Sequence, residues 1–382
     1  MNEAMIYRDD FSQTFGQESA FLGFLREREQ SAGWNTETSN TLRFEALEED
    51  ATVTKLLMDN YTMSGREGIL RDTMDNTRLL LKASEHYYPV RSCAVKTILD
   101  RARVSGSALS KVKKPILAQI LNECMKVANG DALLRIADEK VSAVLGGDSS
   151  DYAILEMPAL FEETMQYLQK RFPGYTFAGG WFDHSIVTAL WELTATPELV
   201  ESYERALAQH GKKPEELKPA LRLTSSDVGL SGANLFPTIF KGRDSKILTL
   251  GSPLKLEHTN GASLSKFCDQ LDMIFAQYTK ALKDLTALLD VDISYPVNTM
   301  LGIMKRISIP KKLAYQAADL FKGQYGEGAC TAHEVYYGIS EVLFLLQCDG
   351  AEGSRIAQME EKVARALRIR WHDYDMPGDF SW

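Results

Sequence analysis

The chain is expected to adopt an α+β fold, with a central, mainly antiparallel sheet between an N-terminal helical layer and a C-terminal helical region. Three observations lead there. Short apolar-rich runs bounded by turn residues crowd between Leu133 and Gly261, a pattern of strands and hairpins. On both sides of that stretch apolar residues recur at spacings of three and four, the period of a helix with one buried face. Proline and glycine separate the later helical segments from one another. Four segments follow: an N-terminal arm over 1–60, a helical layer over 61–130, a central sheet unit over 131–262 and a helical region over 263–382.

In the arm, Phe21, Leu22 and Leu25 suggest one short helix, and the Ser, Thr, Asn and Gly of residues 31–41 read as a loop. The arm is expected to pack on the body or on a neighbouring subunit. From Met63 to Asn129 the pattern reads as helical. Ile69, Leu70, Met74, Leu79 and Leu80 lie at near-helical spacings, Val95, Ile98 and Leu99 face inward from the next segment, and Ile116, Leu117, Ile120, Leu121 and Met125 form a third apolar stripe.

In the central unit, residues 133–138 and 141–145 form a hairpin around Asp138-Glu139-Lys140. Residues 151–155 read as a further strand. A helix follows from about Pro158 to Phe172, with the proline in the first turn, where a missing N–H costs nothing. Residues 175–178 and 185–193 suggest a second hairpin around Gly179-Gly180. A helix over 197–210 precedes strands over 220–224, 235–240 and 247–256. The longest helical pattern runs from Ser263 to Leu289, and four more helices follow over 296–305, 311–321, 330–347 and 352–369. The aromatic, acidic tail from Trp371 to Trp382 is expected to dock, because several aromatics in one exposed tail would be unusual.

Composition narrows the function classes. Of 382 residues, 45% are hydrophobic and 25% charged, and the net charge is −9. Such an acidic balance argues against a nucleic-acid binder driven by bulk charge, while a local basic patch remains compatible. Five scattered cysteines, with no secretory pattern near Met1, suggest reduced thiols and a cytoplasmic setting. No apolar run reaches membrane-spanning length.

Motifs for catalysis are missing from the sequence. Ser225 to Gly232 is small and Gly-rich, so its N–H groups could cradle an anion. It lacks a Gly-Lys-Ser/Thr ending, and Asp227 would repel phosphate, so a strand connection is the better reading. Cys330 and His333 have zinc-compatible chemistry without a second ligand pair. Asp148, Asp151, Asp183 and Asp227 would suit Mg²⁺ only if strand ends gathered them. No cofactor or metal is expected, and no G-x-S-x-G elbow or catalytic cysteine context appears.

One pattern carries a resemblance. The order LLRIADEKVSAVLGGDSSDYAILEMPALFE, then Ser226-Asp227-Val228-Gly229, then Thr259-Asn260-Gly261, resembles the phage- and plasmid-borne proteins grouped as domain of unknown function 932. That family has a hairpin leading into a Tyr-containing strand and a helix, a Cys-x-Asn-Gly-like turn, and a late helix with Thr-Ala-Trp-x-x-Tyr-Asn-x-x-Thr-Glu. Here Thr331, Ala332, Tyr336 and Glu341 agree and Ser340 stands for Thr. His333 replaces the Trp, Tyr337 the Asn and His258 the Cys. The likeness spans Val90 to Leu346 and implies a mobile-element setting, with no activity attached.

The candidate nucleic-acid-binding residues are Lys241, Arg243, Lys246, Lys255, His258 and Asn260 around the last strands, and Lys305, Arg306, Lys311 and Lys312 about Pro310. Lys111, Lys113 and Lys114 make a smaller cluster. Phe236, Phe240, Tyr315 and Phe321 would supply stacking surfaces. The expected function is non-enzymatic binding of nucleic acid, with single-stranded DNA as partner in recombination, annealing or replication, by an oligomer of this chain. One alternative is an effector whose acidic surface binds a host protein and blocks a defence complex. The other is an enzyme of unrecognised type.

Overall fold

The computed structural model describes residues 5–148, 151–212, 216–241, 246–259, 261–351 and 353–382, apart from the side chains of Lys241, Lys246 and Ser354. It bears out the α+β class. The N-terminal half runs β1 (Ser12–Phe15), α1 (Glu18–Ser31), β2 (Gly33–Thr38), β3 (Arg43–Ala46), α2 (Thr52–Met63), α3 (Glu67–Asp75), β4 (Leu79–Ala83), β5 (His86–Pro89), α4 (Ala94–Arg101), α5 (Lys114–Lys126), β6 (Asp131–Ala137) and β7 (Lys140–Gly146). The middle runs α6 (Met157–Arg171), β8 (Thr176–Asp183), β9 (Val187–Glu192), α7 (Glu198–Gln209), β10 (Leu217–Ser225), β11 (Ala233–Lys241), β12 (Lys246–Thr249) and β13 (Leu254–Leu256). The C-terminal part runs α8 (Leu264–Leu271), α9 (Ile274–Ala287), β14 (Asp292–Ile293), α10 (Pro296–Arg306), α11 (Lys311–Tyr325), β15 (Cys330–Thr331), α12 (Ala332–Cys348) and α13 (Gly353–Arg365).

The main sheet is antiparallel, in the order β1-β8-β9-β10-β11-β12, with β13 also paired to β11. Two three-stranded sheets, β2-β6-β7 and β3-β4-β5, form a separate layer and meet at a bridge between Val90 and Val141. They share a core of Phe44, Leu81, Ile98, Leu121, Leu134 and Val144, closed by α4 and α5. On the main sheet, Ala189, Trp191, Leu221, Leu223, Leu235 and Ile239 enter a second, larger core with α6, α7 and α9. Side chains alternate across a strand, so Thr188, Leu190, Arg222, Thr224, Asn234 and Phe236 lie on the opposite face.

Several local expectations hold for physical reasons that can be named. The β6–β7 turn places Asp138 and Glu139 at φ 51° and 62°, the conformation a two-residue hairpin turn requires. Helix α12 begins with the reciprocal cap of Thr331 and Glu334. The C-terminal tail docks: Trp371 is buried, and Trp382 meets Tyr315.

Other expectations are corrected. The helical layer over 61–130 contains the β4–β5 hairpin. Leu79, Leu80 and Leu81 are all buried, with Leu81 and Leu80 in different cores, and a short continuous apolar run fits such a two-sided strand as well as a helix. Residues 33–38, read as loop, form edge strand β2, whose half-exposed residues carry little hydrophobic pattern. Residues 151–155 form no strand. Gly179 and Gly180 lie inside β8, and the turn falls at Asp183, whose carboxylate accepts from the Ser185 and Ile186 N–H groups. A Cβ at Gly180 would come within 2.7 Å of Phe21, so this glycine serves close packing of α1 rather than a turn. The long helix over 263–289 is divided at Asp272-Met273 into α8 and α9.

The described part of the arm, from Met5 on, is built into the body. β1 edges the main sheet, while β2 and β3 join the two smaller ones. A buried charge network ties these parts together. The Lys140 ammonium contacts Asp9 at 2.9 Å and also Asp72, and Arg91 contacts Asp138 at 3.0 Å and Asp9 at 3.7 Å. Arg28 adds a contact to Asp138 at 2.5 Å.

Candidate functional site

The second face of the main sheet floors a cleft of about 1350 Å³, walled by β1, α11, α12 and α13. Its lining joins Trp181, Thr188, Leu190 and Arg222 from the sheet to Tyr325, Tyr337, Phe344 and Glu341 from the helices. Phe344 and Tyr325 are 52% and 44% exposed and Ile247 is 39% exposed, so the rim presents apolar and aromatic surface to solvent. Arg222 is the buried charge of the floor. Its Nη1 donates to the Glu360 carboxylate of α13, its Nη2 donates to Thr249 Oγ1 at 3.2 Å, and its guanidinium lies 5.1 Å from the Phe236 ring. Burial raises the Glu360 carboxyl, opposed by the attraction of Arg222.

On the cleft wall, Tyr337 is held from behind. The Tyr203 hydroxyl bonds His333 Nε2 at 2.6 Å and the Tyr337 hydroxyl at 2.9 Å. His333 and Tyr337 are two of the departures from the pattern of the late helix. They form one hydrogen-bonded set with Tyr203, so the two replacements satisfy each other's polarity inside the protein.

The basic candidates do not form one patch. Lys241 and Lys246 pair where the chain passes from β11 to β12, next to Ile247 on the cleft rim, and their side chains lie outside the described residues, as do Arg243 and Asn260 entirely. Lys255 pairs with Asn234, near the other end of β11, roughly 23 Å from Lys241 at the usual rise per residue. It contacts Glu257 at 2.7 Å and Glu361 at 3.9 Å. Lys305 donates to Ser381 O at 3.2 Å and lies over Phe380. Arg306, Lys311 and Lys312 are exposed at the α10–α11 turn, with Lys311 beside Tyr315.

His258 is corrected as a surface contact. It is 5% exposed, stacks on Tyr152 with ring centroids 5.2 Å apart, and bonds Ala153 O through Nδ1 at 3.2 Å. Burial lowers its pKa, which favours the neutral ring. Phe236, Phe240 and Phe321 are corrected in the same way, because all three are buried in the protein.

The structure brings together three of the segments quoted for the resemblance, without the late helix. Tyr152, the Ser226–Gly229 loop and the His258 turn meet around a smaller hollow of about 400 Å³. Behind it, Asp227 accepts from Arg135, which also bonds Glu29 and lies over Trp34. The Ser225–Gly232 segment is therefore a strand connection whose acid is already paired. The aspartates considered for Mg²⁺ do not assemble: among the described residues no group of three or more His, Cys, Asp or Glu side chains is placed to hold a metal ion. The Cys330 thiol is pushed up to about 12 by burial and by Glu334.

The cleft residues were missed as a set because they come from eight elements, five strands and three helices. One signal was present: Arg222 stands alone within Ala220-Leu221-Arg222-Leu223, and a lone charge inside an apolar strand needs a partner across the face. No family model matches this chain, and neither the curated proteins nor the solved structures contain a match. Among the described residues no helix is long and apolar enough to cross a membrane.

Proposed function

We propose that this protein is a non-enzymatic nucleic-acid-binding protein that holds single strands in the cleft on the second face of its main sheet. The observation that carries the reading is the pairing of two features. Trp181, Tyr325, Tyr337 and Phe344 line an open groove, and the β11–β12 hairpin, whose sequence holds Lys241, Arg243 and Lys246, borders that groove through Ile247 and Leu248. Single-strand binding sites combine aromatic platforms, which accept any base, with nearby cations that follow the backbone. The likeness to phage- and plasmid-borne proteins supports a mobile-element setting in recombination, annealing or replication.

The test is fluorescence anisotropy with labelled single- and double-stranded DNA at low and near-physiological salt. Salt-dependent binding that favours single strands is expected. Phe344→Ala and Tyr325→Ala truncate exposed side chains, so folding is spared, and each should weaken binding by about 1–3 kcal/mol where a base is stacked. Charge reversal at Lys241, Arg243 and Lys246 should weaken binding and flatten its salt dependence. Absence of binding at low salt, where electrostatic contacts are strongest, would refute the reading. The exposed rim of Ile247, Tyr325 and Phe344 on an acidic chain would then favour a host-protein effector, sought by pull-down from host lysate.

A further inference from the structure

We infer that the Arg222 guanidinium is the anion-binding centre of this cleft and that the Glu360 carboxylate occupies the place a ligand phosphate takes. The inference deepens the proposed function and rests on it for the identity of the ligand.

Three observations carry it. First, Arg222 is 5% exposed and lies on the floor of the cleft, with Glu360 in the same lining. A buried arginine is costly unless its donors are met. Second, they are met only in part. Nη1 and Nη2 have partners, whereas Nε is buried and has none among the described residues. An arginine fork binds two oxygens of a phosphate or carboxylate side by side, and here one prong is unused. The Phe236 ring behind it holds the guanidinium plane in position.

Third, the carboxylate that occupies the site comes from a different element, α13, laid across the sheet from the C-terminal part of the chain. Helix α13 follows the turn at Gly350, whose φ is 68°, and lies over the face that the cleft shares. Its apolar face is seated through Ile356, Met359, Val363 and Ala364, and its polar attachments are Gly353 N–H to Asp183 at 3.3 Å, Glu361 to Asn234 at 3.3 Å, and Lys362 to Ser308 O at 2.9 Å. A phosphate that engages Nε and one Nη of Arg222 displaces Glu360 and with it loosens α13. The anion site on the floor of the open cleft is then self-capped. Ligands without an anionic group lack the means to open it, and the net cost of opening is subtracted from the affinity of those that do.

The test uses the full chain as wild type, Glu360→Gln and the double variant Arg222→Gln/Glu360→Gln, which removes both charges together. Binding of a labelled oligothymidylate is read by anisotropy, and amide exchange of α13 by mass spectrometry, with and without the oligonucleotide. Expected are faster α13 exchange on binding to wild type, and binding roughly tenfold tighter for Glu360→Gln than for wild type, because the competing carboxylate is gone. The double variant should bind more weakly than Glu360→Gln. Equal or weaker binding by a folded Glu360→Gln, with α13 exchange unmoved by the oligonucleotide, would overturn the inference. If Glu360→Gln does not fold, wild-type exchange decides alone. Inorganic pyrophosphate separates this inference from the broader reading. If wild type binds no oligonucleotide but pyrophosphate speeds α13 exchange in wild type and not in the double variant, the anion site stands and the polynucleotide reading falls. If neither probe moves α13, the anion site is refuted.

Discussion

Substitution of Lys140 by Met tests whether the buried charges hold the N-terminal segment and, through it, the cleft. The Lys140 side chain is fully buried, and its two carboxylate partners, Asp9 and Asp72, are 4% and 11% exposed. Met has similar volume and no charge, so the substitution leaves two carboxylates facing one another across a dry space, while Asp9 N–H still donates to Asp72. Breaking a buried pair from one side costs about 3–5 kcal/mol. For a chain of 382 residues that unfolds as a unit, with about 2.1 cal/mol/K per residue, this lowers Tm by about 4–6 °C. Calorimetry and urea denaturation measure the loss. Amide exchange in β1 should also accelerate, because Asp9 is the anchor just before that strand, and β1 supplies Thr14 and Phe15 to the cleft. Lys140→Met/Asp72→Asn should regain roughly 1–3 kcal/mol, since the pair is directly coupled. A loss below about 1 kcal/mol for Lys140→Met, the range of exposed pairs, would refute the argument by showing that water reaches these charges.

Two further outcomes follow from single residues. His184 is buried beside Arg91 and Arg28, and burial first, then those charges, hold its pKa well below the usual value. The unfolded chain therefore takes the proton first, so stability present above about pH 6.5 is lost as pH falls toward the folded value. His184→Gln should flatten that part of the stability–pH curve measured by urea denaturation, and an unchanged acid slope would assign it to other groups. Gly338 lies where α12 crosses α11, and a Cβ there would come within 2.6 Å of the Phe321 ring. Gly338→Ala should cost about 1–3 kcal/mol by overpacking, and a melting temperature equal to wild type would show that the crossing has slack.

Legibility followed the range of the interaction. The β6–β7 hairpin could be read because its turn, Asp138-Glu139, and its flanking apolar runs are contiguous. Helices α6, α7, α10 and α12 could be read because prolines, caps and a repeating apolar face all lie within a few residues. The β4–β5 hairpin could not, because Leu79-Leu80-Leu81 satisfies either period until the two layers that bury it are known. His258 shows the same limit for the site. A histidine beside Asn-Gly in a turn has the chemistry of a surface contact, and only the approach of Tyr152 from a distant part of the chain buries it.

The amino-acid sequence by itself determined the α+β class, most helices and strands β9, β10 and β11 of the main sheet, because hydrophobic period, turn residues and caps act locally along the chain. The tertiary structure alone decided which face of that sheet stays open, that Arg222 meets Glu360 there, that Tyr203 joins His333 to Tyr337, and that Lys241 and Lys255 stand far apart. Those relations depend on strand order and on how α11, α12 and α13 pack across the sheet. Pairings between residues more than a hundred positions apart leave no periodic trace in a single chain.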